Sequence, residues 1–178
     1  MLNRLLAFVD LLGTLLDLGH LGSRISQGKR TAFERKLDEI DWGQYQTAYG
    51  VAIDVPKQLE RLASKDEEMA CAAAEDLDAG LCHQHVDVDS AALPALPFLL
   101  EVLDSADQRL TCAILDILDG FATCTKPDYQ PEWNKQKGPW VAKLRGALRD
   151  ELPRFSSFQE NPDECIRDCV NNILANLA

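Results

Sequence analysis

The chain is poor in aromatic residues, in basic residues and in long uninterrupted hydrophobic runs. Aromatic residues make up 7% of it, and 18 Lys and Arg face 29 Asp and Glu, which gives a net charge of -11. Nucleic acid and anionic membranes are therefore poor partners, because phosphate contacts would have to overcome long-range repulsion. Asp10 and Asp17 interrupt the Leu-rich residues 1 to 20, which excludes a membrane span of about 20 apolar residues. No small-residue cleavage site follows, so we expect a cytoplasmic protein with reduced cysteines.

The length and the hydrophobic content predict one folded domain. The chain has 178 residues, of which 46% are hydrophobic. A chain of this length buries roughly 70% of its unfolded surface in a single core. No segment shows the sustained alternation of apolar and polar residues that is typical of a half-buried strand. The sequence therefore predicts an all-α fold.

An internal repeat relates two stretches of the sequence at an offset of 41 residues. Pro56 aligns with Pro97, and Cys71 aligns with Cys112. The same offset relates further positions: Leu59 and Leu100, Leu62 and Leu103, Asp66 and Asp107, Leu77 and Leu118, Asp78 and Asp119. A repeat of this length predicts a supersecondary unit that buries its apolar face only by stacking on its neighbours.

Each repeat unit is predicted to be a pair of helices. The first helix is expected to begin at or just before the proline, whose missing N–H is tolerated in a first turn. The second helix is expected to open with a capping box, in which a serine and the residue three positions later satisfy backbone N–H groups. The two boxes are Ser64 with Glu67 and Ser105 with Gln108. The predicted core stripes of the second helices are Met69, Ala72, Leu77 and Leu110, Ala113, Leu118.

A third, looser copy of the helix pair is predicted at the end of the sequence. One stripe consists of Val141, Leu144, Leu148 and Leu152. The other, from Ile166 to Leu177, aligns with the second helix of the preceding unit at an offset of 56. Asn161 is the expected N-cap of this last helix, followed by a proline at the first helical position.

Helix pairs that repeat every 40 residues or so resemble HEAT repeats, and the resemblance covers residues 55 to 178. Just upstream, Asp41-Trp42, Ala48-Tyr49-Gly50 and Asp54-Val55-Pro56 resemble the entry motif of small bacterial HEAT-like proteins. In those proteins an HQ dipeptide, here His83-Gln84, closes the first repeat and is usually followed by glycine. This sequence has His85 at that position.

The resemblance implies an architecture and a class of function. The expected fold is a short right-handed α-solenoid of about three HEAT-like helix pairs over residues 55 to 178. Residues 1 to 54 would supply N-terminal capping helices and an entry loop. HEAT-like proteins mostly bind other macromolecules, and several small bacterial ones resemble immunity proteins that neutralise toxins. Such a module is expected to be non-enzymatic and to need no cofactor, although a fold alone does not define a function.

Negative charge is concentrated in the two regular repeats. Residues 55 to 125 contain 4 basic and 14 acidic residues. Glu75 and Asp78 on one second helix are in register with Asp116 and Asp119 on the next. In a HEAT-like stack the second helices line the concave surface, so these carboxylates are predicted to form a two-by-two acidic ladder there. The ladder would bind a basic protein partner and accelerate its association; the alternative is an ordinary solvated face.

Two aromatic residues in the long loop before the third unit are candidate partner anchors. Tyr129 and Trp133 stand among lysines in this loop. Aromatic side chains often contribute most of the binding energy of an interface. The alternative is that they cover the edge of the core.

One short segment has the residue types of a metal site. Cys82, His83 and His85 precede two aspartates, and thiolate, imidazole and carboxylate are all zinc ligands. Adjacent residues cannot easily face one ion, and no second Cys/His pair stands at finger-like spacing. We therefore expect no metal and keep these three as weak candidates.

The alternatives to a dedicated toxin-binding protein remain open at this point. A general HEAT-like scaffold or regulator would present the same surface. A metal-dependent hydrolase would use the segment from Cys82 to Asp89. No serine stands in a Gly-x-Ser-x-Gly turn, and the sequence contains no other pattern of nucleophilic catalysis.

Overall fold

The computed structural model describes residues 30–128 and 138–178, and this part of the chain is mostly helical. It contains eight α-helices: α1 (Ala32–Asp38), α2 (Val55–Leu62), α3 (Glu67–Leu81), α4 (Ala92–Leu103), α5 (Gln108–Cys124), α6 (Trp140–Asp150), α7 (Leu152–Ser156) and α8 (Glu164–Leu177). Short 3₁₀ turns lie at Trp42–Gln44 and His83–His85, and two strands, β1 (Gln46–Thr47) and β2 (Gly50–Val51), pair antiparallel. The predicted capping helices before residue 30 and the predicted anchors Tyr129 and Trp133 lie outside the described residues.

The helices from Phe33 onward form one compact unit with a definite order of contacts. Helix α2 packs on α3, α3 packs on α5, and α5 packs on α8. Helix α4 contacts α2 on one side and α6 on the other. The first helices of the predicted pairs are therefore neighbours of one another, and so are the second helices.

The core is built mainly from aliphatic side chains of these helices, together with Trp42 and three phenylalanines, Phe98, Phe121 and Phe155. Leu59 and Leu62 of α2, Leu77 and Leu81 of α3, and Ile114 of α5 are fully buried. The largest buried side chains are Phe121 and Phe155. None of the helices in the described ranges is long and apolar enough to cross a membrane.

The second helices begin later than the capping boxes predicted, and aspartates cap them. Asp66 Oδ1 accepts from Met69 N at 3.0 Å, and Asp107 Oδ1 accepts from Leu110 N at 2.9 Å. Ser64 lies outside the helix, and its hydroxyl accepts from the backbone N–H of Asp66. Aspartate caps as well as serine does, and its charge also interacts favourably with the positive end of the helix dipole.

The last helix repeats this arrangement. Asp163 Oδ1 accepts from Ile166 N at 3.3 Å, whereas the predicted cap Asn161 accepts from the backbone N–H of Asp163. Gln108 donates a hydrogen bond to Asp163 and so connects the first turns of α5 and α8. All three second helices therefore open with an aspartate at the equivalent position.

Three further predictions about the helices were wrong. Helix α4 begins five residues before Pro97, which lies inside the helix, because the buried Ala92 and Ala95 extend the apolar face upstream. On α3 the buried face contains Ala70, Ala73 and Ala74, while Met69 and Ala72 are exposed. The stripe from Val141 to Leu152 is divided between α6 and α7, with Pro153 in the first turn of α7.

A small hairpin precedes the helix pairs and was not predicted. Its strands have two residues each, which is too short to show an alternating pattern. Trp42 anchors the segment: its ring is buried and its indole N–H donates to the carbonyl of Leu37 at 3.0 Å. At the turn, Ala48 N donates to the carbonyl of Gly80 at 2.9 Å, so the hairpin is fixed to the end of α3.

The expectation that all six cysteines are reduced is corrected by one disulfide. Cys112 on α5 is bonded to Cys165 on α8, and their Cα atoms lie 6.1 Å apart. This separation is within the usual range for a disulfide and results from the packing of α5 on α8. Cys71, Cys82, Cys124 and Cys169 are buried and are not disulfide-bonded in the described part of the chain.

Candidate functional site

The four carboxylates of the predicted acidic ladder do not share one environment. Glu75 and Asp116 are exposed, Asp78 is half-buried, and Asp119 is only 7% exposed. Asp119 therefore cannot contact a partner as the ladder model required. Asp78 and Asp116 approach the same side chain, His85.

The side chain of Asp119 is held by two asparagines of the last helix. Asn172 Nδ2 and Asn176 Nδ2 each donate to a different oxygen of its carboxylate at 3.2 Å. Asn176 also donates to the hydroxyl of Thr123 at 2.7 Å. Burial raises the pKa of Asp119, while the two amide donors partly offset this increase by favouring the charged form. Asp119 thus connects α5 to α8.

His85 has an unusual backbone conformation at the end of the 3₁₀ turn. Its φ is 55°, the only positive φ of a non-glycine residue in the described part of the chain. Glycine adopts this left-handed region readily, and histidine is one of the few other residues enriched there. The backbone at this position thus projects an imidazole from a conformation that glycine adopts more readily.

The imidazole of His85 lies between two helices. Its Nε2 is 3.7 Å from Oδ1 of Asp78, which is in the last turn of α3, and 3.6 Å from Oδ2 of Asp116 on α5. Gly120 makes room for the ring, because a Cβ at position 120 would lie 3.0 Å from its Cδ2. The three ligand atoms lie within 4.8 Å of one another. We call Asp78, His85 and Asp116 the His85 cluster.

The His85 cluster favours a positive charge. The pKa of His85 is raised, chiefly through its interaction with the Asp116 carboxylate, although burial acts in the opposite direction. Asp78 and Asp119 add to the increase. Burial raises the pKa of Asp78, and the neighbouring His85 partly offsets this. The helix dipole reinforces the effect, since Asp78 lies near the negative end of α3 and the last turn of α3 contains no basic residue.

The other two weak metal candidates do not join His85. Cys82 is fully buried, with its sulfur 3.8 Å from the sulfur of Cys124. The ring of His83 packs edge-on against Tyr49, with centroids 6.1 Å apart. Of the three candidates, His85 alone belongs to the His85 cluster, where it lies beside two carboxylates of the predicted ladder, Asp78 and Asp116.

A second surface feature lies at the hairpin. Tyr49, Val51 and Ile53 are 72%, 49% and 68% exposed. Beside them, a cavity of about 320 Å³ lies between the hairpin and helices α2 and α3, and its lining includes Tyr49, Asp54 and Asp76. Exposed apolar side chains next to carboxylates are typical of a binding surface with an apolar anchor and a charged rim.

Sequence reasoning missed both features for identifiable reasons. The residues of the His85 cluster are far apart in sequence, and their proximity results from the packing of α3 on α5. The available signal was the histidine at a position where glycine is usual, which indicates a left-handed backbone and an exceptional side chain. The signal for the hairpin surface was the pair of apolar residues Val51 and Ile53 beside Tyr49 in a segment too short to be a core strand.

Comparisons with protein-family models, with curated proteins and with solved structures gave no match for this chain. The geometry and the chemistry of the residues are therefore the basis for the function.

Proposed function

We propose that the protein is a non-enzymatic binding module whose hairpin and adjoining acidic helix face bind one basic protein partner. The observation that carries this proposal is the exposure of Tyr49, Val51 and Ile53 beside helix α3. Tyrosine is frequent among the residues that dominate binding energy. An apolar patch of this kind on a monomer is often a site of interaction.

The negative charge of the helices next to the hairpin indicates a basic partner, and Asp54 and Asp76 line the cavity beside the patch. Residues 55 to 125 contain 4 basic and 14 acidic residues, and Glu75 on α3 and Asp116 on α5 are exposed. Glu75, Asp76 and Asp78 lie in the C-terminal half of α3, where a negative charge is not stabilised by the helix dipole. The stability of the helix therefore does not explain these carboxylates. Complementary positive charge on the partner would increase the association rate and exclude acidic competitors.

The arrangement of helices supports an α-solenoid as the scaffold of this surface. First helices α2, α4 and α6 contact in succession, and second helices α3, α5 and α8 do the same. The three aspartate caps recur at equivalent positions. We therefore propose a short right-handed solenoid of three HEAT-like pairs. The cytoplasmic location is proposed from the sequence alone, and the Cys112–Cys165 disulfide would be unusual in that compartment.

The most concrete form of the proposal follows from the resemblance to small bacterial HEAT-like proteins. In this form, the protein is an immunity protein that neutralises a cognate toxin by binding it. A scaffold or regulator without a toxin is the second form, and it uses the same surface.

The test is an affinity capture from the native cells with matched variants. Tyr49→Ala combined with Ile53→Ser removes the anchor, and Glu75→Lys combined with Asp116→Lys reverses the exposed charge. Glu160→Lys combined with Asp150→Lys changes the net charge equally at exposed positions that belong neither to the hairpin nor to α3 and α5. We expect one basic protein to be retained by the wild type and the control but lost from both surface variants.

The captured protein is then purified and assayed with the wild type. Inhibition of its toxic activity at a one-to-one ratio identifies an immunity protein, and binding without inhibition identifies a scaffold. Equal capture by all variants, or no basic partner, would show that the hairpin surface is not the binding site.

A further inference from the structure

The geometry points to a binding site for one divalent transition-metal ion at the His85 cluster, with Zn²⁺ as the representative ion. The site shares Asp116 with the partner surface proposed above, but its test measures zinc binding directly and needs no protein partner. Its donors are one imidazole nitrogen and two carboxylate oxygens, contributed by a 3₁₀ turn and two helices. Imidazole and carboxylate are both common zinc ligands, and the nitrogen donor disfavours Mg²⁺ and Ca²⁺.

The donor atoms lie close enough together to bind one ion. Nε2 of His85 is 3.6 Å from Oδ2 of Asp116 and 3.7 Å from Oδ1 of Asp78. Bonds of about 2.0–2.1 Å to a tetrahedral zinc ion separate nitrogen and oxygen ligands by roughly 3.3 Å. The two separations from His85 are within a few tenths of an ångström of this value, and all three donor atoms lie within 4.8 Å of one another.

The burial of one oxygen of Asp78 supports the same assignment. Its Oδ1 is enclosed by the protein and has no hydrogen-bond partner among the described residues. A buried carboxylate oxygen without a hydrogen bond is unfavourable, and a coordinated cation would satisfy it. This same oxygen faces Nε2 of His85.

The cluster is accessible and leaves part of the coordination sphere open. The side chain of Asp116 is 53% exposed, and those of His85 and Asp78 are 29% and 31% exposed. Three protein ligands leave a fourth position for water or for a side chain of a bound protein. The titratable groups next to the cluster are Asp119, His83 and Cys169. Asp119 adds negative charge, which favours a bound cation.

The experiment is an isothermal calorimetric titration with Zn²⁺ of the purified protein, after treatment with EDTA and dialysis. We expect one ion per chain. His85→Asn should weaken binding at least about tenfold, since asparagine tolerates the left-handed backbone but lacks the imidazole. Asp78→Asn and Asp116→Asn should have effects of similar size. His83→Asn changes the neighbouring histidine and should bind like the wild type, and far-UV circular dichroism confirms the fold of each variant.

Cobalt distinguishes this site from the cysteines. Co²⁺ bound through nitrogen and oxygen gives weak visible bands without the strong near-ultraviolet absorption of cobalt bound to thiolate. The proposal is overturned if the protein binds no zinc at millimolar concentration, or if the cobalt complex shows thiolate absorption. It is also overturned if His85→Asn binds zinc as tightly as His83→Asn does.

Discussion

Gly120 of α5 lies directly against the imidazole of His85. A Cβ at position 120 would lie 3.0 Å from Cδ2 of His85 and 2.6 Å from the sulfur of Cys82. Real Cβ atoms essentially never approach other atoms as closely as the second distance. Glycine at this position is therefore what allows the 3₁₀ turn to pack on α5.

This contact predicts that Gly120→Ala destabilises the protein although alanine is the better helix former. We expect a loss of about 1–3 kcal/mol in the free energy of unfolding, because the methyl group displaces Cys82 and His85. Urea denaturation measures it. The control is Gly146→Ala in α6, where no atom lies within 4 Å of the added Cβ, so that the variant should gain about 0.5–1 kcal/mol. Equal gains in both variants would contradict the packing of the turn.

The aspartate caps give a second prediction, which separates the structure from the capping-box interpretation. Asp66→Ala and Asp107→Ala should each lower the free energy of unfolding by about 1 kcal/mol, because each leaves a backbone N–H of a first helical turn without its acceptor. Ser105→Ala should change it by less than about 0.5 kcal/mol, as at other exposed positions. Chemical denaturation measures the free energy of unfolding of the three variants. A larger loss in Ser105→Ala than in Asp107→Ala would favour the capping-box interpretation over the aspartate cap.

These caps show which parts of the fold are contained in local sequence. The offset of 41 residues located both second helices, because apolar spacing and polar caps are local signals. The sequence does not show whether Ser64 or Asp66 is the N-cap of α3, since both residue types are good N-caps and they are two positions apart. The backbone before the helix decides between them, and that backbone depends on how α2 ends.

The candidate site was less predictable than the fold for a related reason. Charge patterning placed Asp78, Asp116 and Asp119 on second helices, which was correct. It did not show that Asp119 faces inward, because its partners Asn172 and Asn176 belong to a helix more than fifty residues away. Side-chain partners across packed helices depend on rotation and stagger, and a single sequence does not specify either.

The bond between Asn176 and Asp119 gives a third prediction. Asn176→Ala removes the amide that donates to the buried carboxylate of Asp119 and to the hydroxyl of Thr123. We therefore expect the free energy of unfolding to fall by about 1–3 kcal/mol at neutral pH. Asn171→Ala changes an exposed neighbour on the same helix and should have an effect within about 0.5 kcal/mol. Thermal and urea unfolding of the two variants would measure the difference, and equal effects would show that the bond is unimportant.

The same variant has a predicted pH dependence. The pKa of Asp119 in the folded protein is raised above 3.8 by burial, so folding becomes less favourable as this group ionises with rising pH. Asn176 stabilises the ionised form. The loss caused by Asn176→Ala should therefore be largest where Asp119 is charged and should shrink as the pH falls through its folded pKa. Urea denaturation of wild type and variant at a series of pH values checks this, and a loss independent of pH would contradict it.

The disulfide between Cys112 and Cys165 gives the last prediction. It closes a loop of 53 residues, and a loop of this length corresponds to about 4 kcal/mol in the chain-entropy account of disulfides. Dithiothreitol should therefore lower the midpoint of thermal unfolding of the wild type, and it should have no such effect on the variant with both cysteines changed to serine. Equal effects on the two proteins would show that the reductant acts elsewhere.

The identity of the bond is a separate part of this prediction. The sulfurs of Cys112, Cys165 and Cys169 all lie within 4.8 Å of one another. Cys169 is therefore close enough to replace either cysteine of the disulfide by thiol–disulfide exchange. Burial, together with Asp116, Asp119 and Asp168, raises the pKa of Cys169 to about 11. Its thiolate is therefore scarce at neutral pH, and the thiolate is the species that attacks a disulfide. Peptide mapping after alkylation without reductant should find Cys112 joined to Cys165, and a bond to Cys169 at neutral pH would contradict this account.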